Sequence, residues 1–311
     1  MVSIGRRTLN VVQETFPVAC KTALWIIKIT VSISLLMLLL RYTGVLYWLS
    51  NQLSPLFKVV GLPGEAALAY VTGYFVNVYS TIAVMATLSL DVRAITILSV
   101  MVLCSHNIIT ETAVQKKTGS SALRMVLIRT LSAFLLGITL NWLMPGEVIQ
   151  MSATVAKHRE SFTLLLTQWF WSTLWLIVKM IVLIFSLSIL QRLLSEFGVI
   201  RWIAKFLKPL LRFFGLPAKT AFLWIIANTL GLTYGAAVMI EESERGKISR
   251  RDANLLNHHI CVSHSNLEDV ILLASTGALV LWMILSRWVV SFLLVWELHI
   301  EEWFIKKIKT N

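Results

Sequence analysis

The chain has 311 residues, 57% of them hydrophobic and only 14% charged, with a net charge of +12 and a mean hydropathy of +0.76. That balance excludes a soluble globular domain and a disordered chain. It also argues against a nucleic-acid partner for the surplus positive charge, because the basic residues alternate with apolar stretches instead of forming one patch.

Residues 1–23 are mixed and amphipathic, with Arg6, Arg7 and Lys21 and no small-residue cleavage site after the apolar run, so a cytoplasmic segment rather than a removable signal is expected. A first span is expected over 24–40. Residues 47–60 read as a helix lying in the membrane interface and ending in Gly61-Leu62-Pro63. The segment 65–90 is apolar at both ends but carries Thr72-Gly73-Tyr74-Phe75-Val76-Asn77-Val78-Tyr79-Ser80-Thr81 at its middle. A plain span would be oily there. Two limbs of about 11 residues reach roughly 16 Å each, near the bilayer midplane, which predicts a re-entrant helical hairpin lined by protein or water. A small-residue helix-packing face is the alternative. Spans over 94–117 and 121–143 complete a first unit of residues 24–146, and 147–161 form a linker.

From 162 the order returns. A span over 162–190 precedes an amphipathic stretch, 200–214, with Arg201, Lys205, Lys208 and Arg212 at helical spacing, and then Gly215-Leu216-Pro217. The segment 218–239 holds Asn228-Thr229-Leu230-Gly231-Leu232-Thr233-Tyr234-Gly235 at its centre and reads as a second hairpin. Spans over 253–275 and 279–298 close a second unit, 162–300, before a basic cytoplasmic tail, 301–311.

The return is residue by residue. Leu53, Pro55, Leu56, Gly61, Leu62 and Pro63 recur 154 positions later, and Ser105-His106, Thr118-Gly119 and Arg129 recur 158 positions later as Ser263-His264, Thr276-Gly277 and Arg287. The chain is therefore two copies of one unit. Counting basic residues decides their orientation. With hairpins, three spans per unit and an inside N-terminus, 19 Lys and Arg fall inside and 5 outside, with four left within spans. If the segments cross instead, the split is 13 to 11. The positive-inside bias selects the hairpins, and an odd number of spans inverts the second copy. The fold class expected is all-α: a polytopic protein of two inverted-topology repeats, each with interfacial helix, re-entrant hairpin, interrupted span and closing span. A bacterial inner membrane with both termini cytoplasmic is the expected location.

Polar chemistry concentrates in the span after each hairpin: Cys104-Ser105-His106-Asn107-Ile108-Ile109-Thr110-Glu111, and His258-His259-Ile260-Cys261-Val262-Ser263-His264-Ser265-Asn266-Leu267-Glu268-Asp269. Titratable groups at membrane depth are costly and face a cavity or a partner, and a broken helix there turns an N-terminal dipole toward a bound group. The expected substrate-binding residues are Asn77, Tyr79, Ser80, Ser105, His106, Asn107, Thr233, Tyr234, Ser263, His264, Ser265 and Asn266, and the expected coupling groups for H⁺ or Na⁺ are Glu111, Glu268 and Asp269.

Rival readings remain beside this one. Glu111 precedes Arg129 by 18 residues and Asp269 precedes Arg287 by the same 18, so these acids can be structural ion pairs. Glu268 has no arginine at that spacing, which makes it the favoured coupling acid. His258, His259, His264, Glu268 and Asp269 also offer nitrogen and oxygen for a transition metal, although His259 and His264 are five apart, off one helical face. Adjacent Ser and His on a helix point apart, so no hydrolase and no catalytic residue is expected. Cys20, Cys104 and Cys261 lie in or beside apolar segments without C-x-x-C spacing and read as inert thiols.

A family resemblance joins these residues. Asn77-x-Tyr79-Ser80, Thr96-Ile97-Leu98, Ser105-His106-Asn107 and Glu111-x-x-Val114-x-Lys116-Lys117-Thr118-Gly119 in the run from Gly73 resemble a nucleoside-recognition Gate domain. Tyr234-Gly235-Ala236, Ile240-Glu241-Glu242, Gly246-Lys247-Ile248-Ser249 and Ser263-His264 resemble its partner unit. Such domains occur in concentrative nucleoside transporters, in the membrane part of ferrous-iron transporters and in proteins without an assigned substrate. The resemblance implies the same element order derived above. The chain departs from the iron transporters in lacking a G-x-x-x-x-G-K-[ST] loop, and from nucleoside carriers in lacking a glutamine-rich hairpin tip. The expected function is a secondary transporter of a small polar solute, without a cofactor, in contact with the bilayer and open to homo-oligomers. The alternatives are a divalent-metal permease, ferrous iron being the natural cargo, or a membrane scaffold that kept the fold.

Overall fold

A computed structural model describes residues 4–144 and 161–310, with the side chains of Tyr47, Thr233, Tyr234, Ala237, Lys309 and Thr310 outside the description. The expected linker over 147–161 lies outside the described residues except at its end. Among the described residues the only regular structure is helical.

The first helix, α1 (Ile4–Tyr42), starts far ahead of the expected span and runs through Pro17 without interruption. Its buried residues, Val11, Thr15, Ala19, Ala23, Ile26, Thr30, Ser34 and Met37, recur every three or four positions, one stripe along the whole length. That stripe packs on α8 (Phe162–Glu196), whose Leu165, Thr173, Met180, Ile184 and Leu187 face it. The two run antiparallel, since Arg7 bonds Glu196 at 2.8 Å, Phe16 meets Phe185, and Tyr42 meets Phe162.

The helices α2 (Val45–Val59) and α10 (Lys208–Phe213, after α9, Val199–Phe206) end in the same way. Gly61 and Gly215 take left-handed φ of 69° and 78°. Gly61 N donates to Lys58 O and Leu62 N to Phe57 O, while Gly215 N donates to Arg212 O and Leu216 N to Leu211 O. These paired bonds are Schellman caps. The leucines that follow are buried, and the prolines after them stop the helix, so the repeated Gly-Leu-Pro has a mechanical reason.

Two helical hairpins follow the caps, α3 (Ala66–Phe75) with α4 (Val78–Met85), and α11 (Ala221–Thr229) with α12 (Leu232–Glu244). Limbs of 8 to 13 residues reach roughly 12–20 Å and do not cross a hydrocarbon core of about 30 Å. Asn77 turns the first hairpin: its backbone is extended and its Oδ1 accepts from Ser80 N at 2.8 Å, capping α4. Gly73 lets the limbs close, because a Cβ there would collide with Thr81 Oγ1.

The helices α5 (Val92–Ser105) and α13 (Arg250–Ser263) are buried nearly all round and form the centre. They continue after breaks as α6 (Ile108–Lys117) and α14 (Glu268–Ala274). Closing helices α7 (Ala122–Leu143) and α15 (Val280–Thr310) flank them. Arg124 at the start of α7 reaches Glu297 and Glu301 near the end of α15 at 2.8 and 2.6 Å. Among the described residues five helices are long and apolar enough to cross a membrane: α1, the α5–α6 pair, α7, α8 and α15. The sixth expected span, 253–275, is α13 broken from α14, and Asn254, Asn257, His258 and His259 make it too polar to join them. Trp25, Leu36, Leu131, Leu135, Trp142, Trp171, Trp175, Val289 and Leu293 project outward from the long helices, the apolar coat that lipid requires.

Candidate functional site

The two helix breaks fall at equivalent positions and open in the same way, the second running two residues longer. His106 and His264 leave the helix in extended conformation. Asn107 and Ser265, 158 positions apart, then take φ of 47° and 54° and are the non-glycine residues with left-handed backbone among those described. Such conformations cost energy and persist where the surroundings hold them. Each hairpin supplies part of that hold: Asn107 N donates to Gly73 O at 2.9 Å, and Ser265 N and Leu267 N donate to Ala227 O and Asn228 O at 3.1 and 3.0 Å.

A broken helix leaves carbonyls without intrahelical partners, and a buried arginine takes them in both copies. Arg129 donates to Cys104 O at 3.0 Å and His106 O at 2.6 Å. Arg287 donates to Val262 O at 3.3 Å, His264 O at 3.0 Å and Asn266 Oδ1 at 2.6 Å. Neither is exposed at all. The repeated arginines are first of all caps for interrupted helices, a role the 18-residue spacing to the acids did not suggest. Arg129 also lies 2.6 Å from Glu111 Oε2. The pair is ionic and lies off hydrogen-bond geometry, since Glu111 Oε2 accepts no hydrogen bond. Among the described residues Arg287 has no such contact with Asp269.

The acids also meet histidines, within the first half and across the two halves. Glu111 Oε1 lies 3.0 Å from His106 Nε2 and 3.1 Å from His264 Nε2, and Asp269 Oδ2 lies 3.3 Å from His106 Nε2. The imidazole centroids are 5.0 Å apart. In both rings Nδ1 faces a carbonyl four residues back, Val102 O at 3.1 Å and Ile260 O at 2.7 Å, so Nδ1 carries the hydrogen. Each Nε2 then bonds a carboxylate only if a proton lies in the contact. His106, Glu111 and His264 also present donor atoms within 4.8 Å of one another, a spacing compatible with one metal ion.

Glu268 stands apart. Its oxygens accept from Tyr79 Oη at 3.0 Å and from Gln191 Nε2 at 3.1 Å. Both partners are neutral, and no cation lies within ion-pair distance among the described residues. The first hairpin, the second break and α8 meet at this acid.

The structure thus gathers Tyr79, His106, His264, Glu111, Glu268 and Asp269. Asn77 and Ser80 bond each other at the hairpin turn. Ser105 turns to Tyr70 at 3.0 Å and Ser263 to His259 at 2.8 Å, both away from the cluster. Asn266 joins Asn228 at 2.6 Å and Arg287, bracing the second break. The side chains of Thr233 and Tyr234 lie outside the described residues. The metal set read within the second copy is not assembled: His258 bonds Asn254 O, and His259 sits in an aromatic box with Trp224 and Phe214. Gln191 was missed, lying just past the expected end of a span with nothing in its neighbours to mark it.

A family model described as "Gate: Nucleoside recognition" matches residues 23–141 and 177–290. The "Uncharacterized membrane protein YvoD" of Bacillus subtilis (strain 168) is 29% identical over 271 residues, which are 86% of this chain and 87% of that protein. No solved structure matches.

Proposed function

The chain belongs to the Gate, nucleoside-recognition family of membrane proteins, and from that premise we propose that it is a secondary transporter of a small polar solute, nucleoside-like or related, driven by H⁺ or Na⁺. One observation carries this reading: the buried contacts of Glu111 with His264 and of Asp269 with His106 join the two helix breaks through groups that need a proton between them. Coupling requires that cation occupancy change the relative energy of two arrangements, and these contacts bridge the halves that would move. Glu268, bonded only by neutral groups, is the acid freest to change charge, and we assign it the coupling role.

The sequence offsets and the antiparallel packing of α1 on α8 support two units of opposite orientation. In this reading α3–α4 and α11–α12 are re-entrant hairpins, the α13–α14 pair is a sixth crossing, and both termini lie in the cytoplasm of a bacterial inner membrane. A polar approach supports access from the basic end. Asn257 Nδ2 reaches Thr118 Oγ1 and Ser120 Oγ at 2.8 and 2.9 Å, and Gln115 and Thr112, buried with side-chain atoms lacking partners among the described residues, continue the same face of α6 to Glu111. Val270 and Leu273 stand at the positions equivalent to Thr112 and Gln115, so the opposite approach is apolar.

A divalent-metal permease is the second reading, favoured by the His106–Glu111–His264 spacing. Arg129 weighs against it, since a fixed cation 2.6 Å from Glu111 opposes a second one. Uptake into proteoliposomes across a panel of nucleosides and divalent metals separates them. Gradient-driven nucleoside accumulation supports the first, metal uptake the second, and uptake of neither overturns both.

A further inference from the structure

A cavity of about 620 Å³ opens where α9 and α10 meet the outer ends of α11 and α12, and six cationic side chains line it: Arg201, Lys205, Lys208, Lys219, Arg245 and Lys247. One acid, Glu242, shares the lining. It is taken by Lys247 at 2.9 Å, with Arg245 4.0 Å away, and Lys219 is paired with Asp252 at 2.5 Å. Arg201, Lys205 and Lys208 have no acidic partner among the described residues.

The chain from 200 to 213 is built in triplets of core, basic and outward-facing residues: Ile200-Arg201-Trp202, Ala204-Lys205-Phe206, Leu207-Lys208-Pro209 and Leu211-Arg212-Phe213. Spacings of four, three and four make three parallel stripes. The first packs inward, with Ile200, Ala204 and Leu211 buried. The third projects outward, with Trp202, Phe206 and Phe213 about three-fifths exposed. The basic stripe runs between them. The fold does not demand it: the equivalent positions in α2 are Tyr47, Asn51, Ser54 and Lys58.

We propose that this cavity binds the phosphate headgroup of an acidic phospholipid, with the acyl chains lying along the Trp202–Phe206–Phe213 stripe. Unneutralised Arg and Lys converging on one cavity suit an anion, and clustered basic residues beside a membrane helix attract acidic headgroups. The adjoining aromatic stripe selects a lipid over a soluble anion, which would make no use of it.

The test is native mass spectrometry of the detergent-purified full chain titrated with phosphatidylglycerol and with phosphatidylcholine. Wild type is expected to prefer phosphatidylglycerol. Each cation removed should weaken that binding about fivefold, so the R201Q/K205Q/K208Q variant should lose roughly a hundredfold. Arg192→Gln, which removes an exposed charge outside the cavity, should leave it unchanged. Lys205→Gln alone serves if the triple variant does not run as a single species. Equal binding of the two lipids by wild type, or undiminished phosphatidylglycerol binding by the variants, overturns the proposal. Displacement of the lipid by millimolar glycerol phosphate also overturns it, since a soluble anion would then be the occupant.

Discussion

His264 Nε2 lies 3.1 Å from Glu111 Oε1 although the residues are 153 positions apart. One belongs to the second helix break and the other to the first, and His106 returns the contact to Asp269. Each break is met by a titratable group of the other half.

Glu268→Gln keeps the shape of the side chain and an acceptor for Gln191, turns the other position into a donor that the Tyr79 hydroxyl can accept from, and removes the ability to change charge. The variant should fold and insert normally yet lose gradient-driven solute accumulation in proteoliposomes. Wild-type accumulation with unchanged pH and Na⁺ dependence would rule out the assignment.

Arg129→Met strands Glu111 and the Cys104 and His106 carbonyls in the interior. Removing one partner of a buried ion pair costs about 3–5 kcal/mol, measurable by thermal or denaturant unfolding in detergent. Combining it with Glu111→Gln should recover part of that loss but not all, because the carbonyls stay uncapped. Full recovery would show that the cap to the broken helix contributes nothing.

The end of α12 and the loop that follows it should be cytoplasmic. In a background without native cysteines, Ser243→Cys should react with an impermeant thiol reagent only after cells are opened. Labelling of intact cells would contradict the arrangement of two inverted units.

Acid should loosen the start of α13. Burial pushes the Asp252 carboxyl up, but Lys219 and the Ser249 side chain and backbone outweigh it and hold the group below the ordinary carboxylate range. A depressed carboxyl contributes stability that is present above its unfolded pKa and lost as pH falls through its folded one. Protection of the 249–256 amides from hydrogen exchange should therefore hold at neutral pH and decline below about pH 4. Asp252→Asn should reproduce part of the loss at pH 7, about 1 kcal/mol for the weakened capping box. Unchanged protection in the variant would show that the cap is dispensable.

Much of this was legible in the chain. Gly61-Leu62-Pro63 and Gly215-Leu216-Pro217 announce their caps because a local backbone motif needs only local residues. The break at His106–Asn107 was visible as polarity in an apolar run, and Tyr79 was picked out by its place mid-hairpin. Pairing was not legible. Equal spacing from Glu111 to Arg129 and from Asp269 to Arg287 suggested two like ion pairs, yet only the first has charge contact, and the carbonyls that both arginines cap carry no sequence signal at all. The acids' other partners lie across the chain, and Tyr79 reaches Glu268 over 189 positions. Periodicity within either copy says nothing about which face of one meets which face of the other.

Dependence between the halves is lopsided. Glu111 finds His106 and Arg129 within its own half, whereas His264, Asp269 and Glu268 look to Glu111, His106 and Tyr79 in the other. Severed between 144 and 161, the first fragment would keep an internally balanced break. The second would carry a histidine and an acid with their charge partners gone and another acid held only by Gln191. Ribosomal order runs the same way as that imbalance in charge: the half whose break is balanced by its own residues is made first.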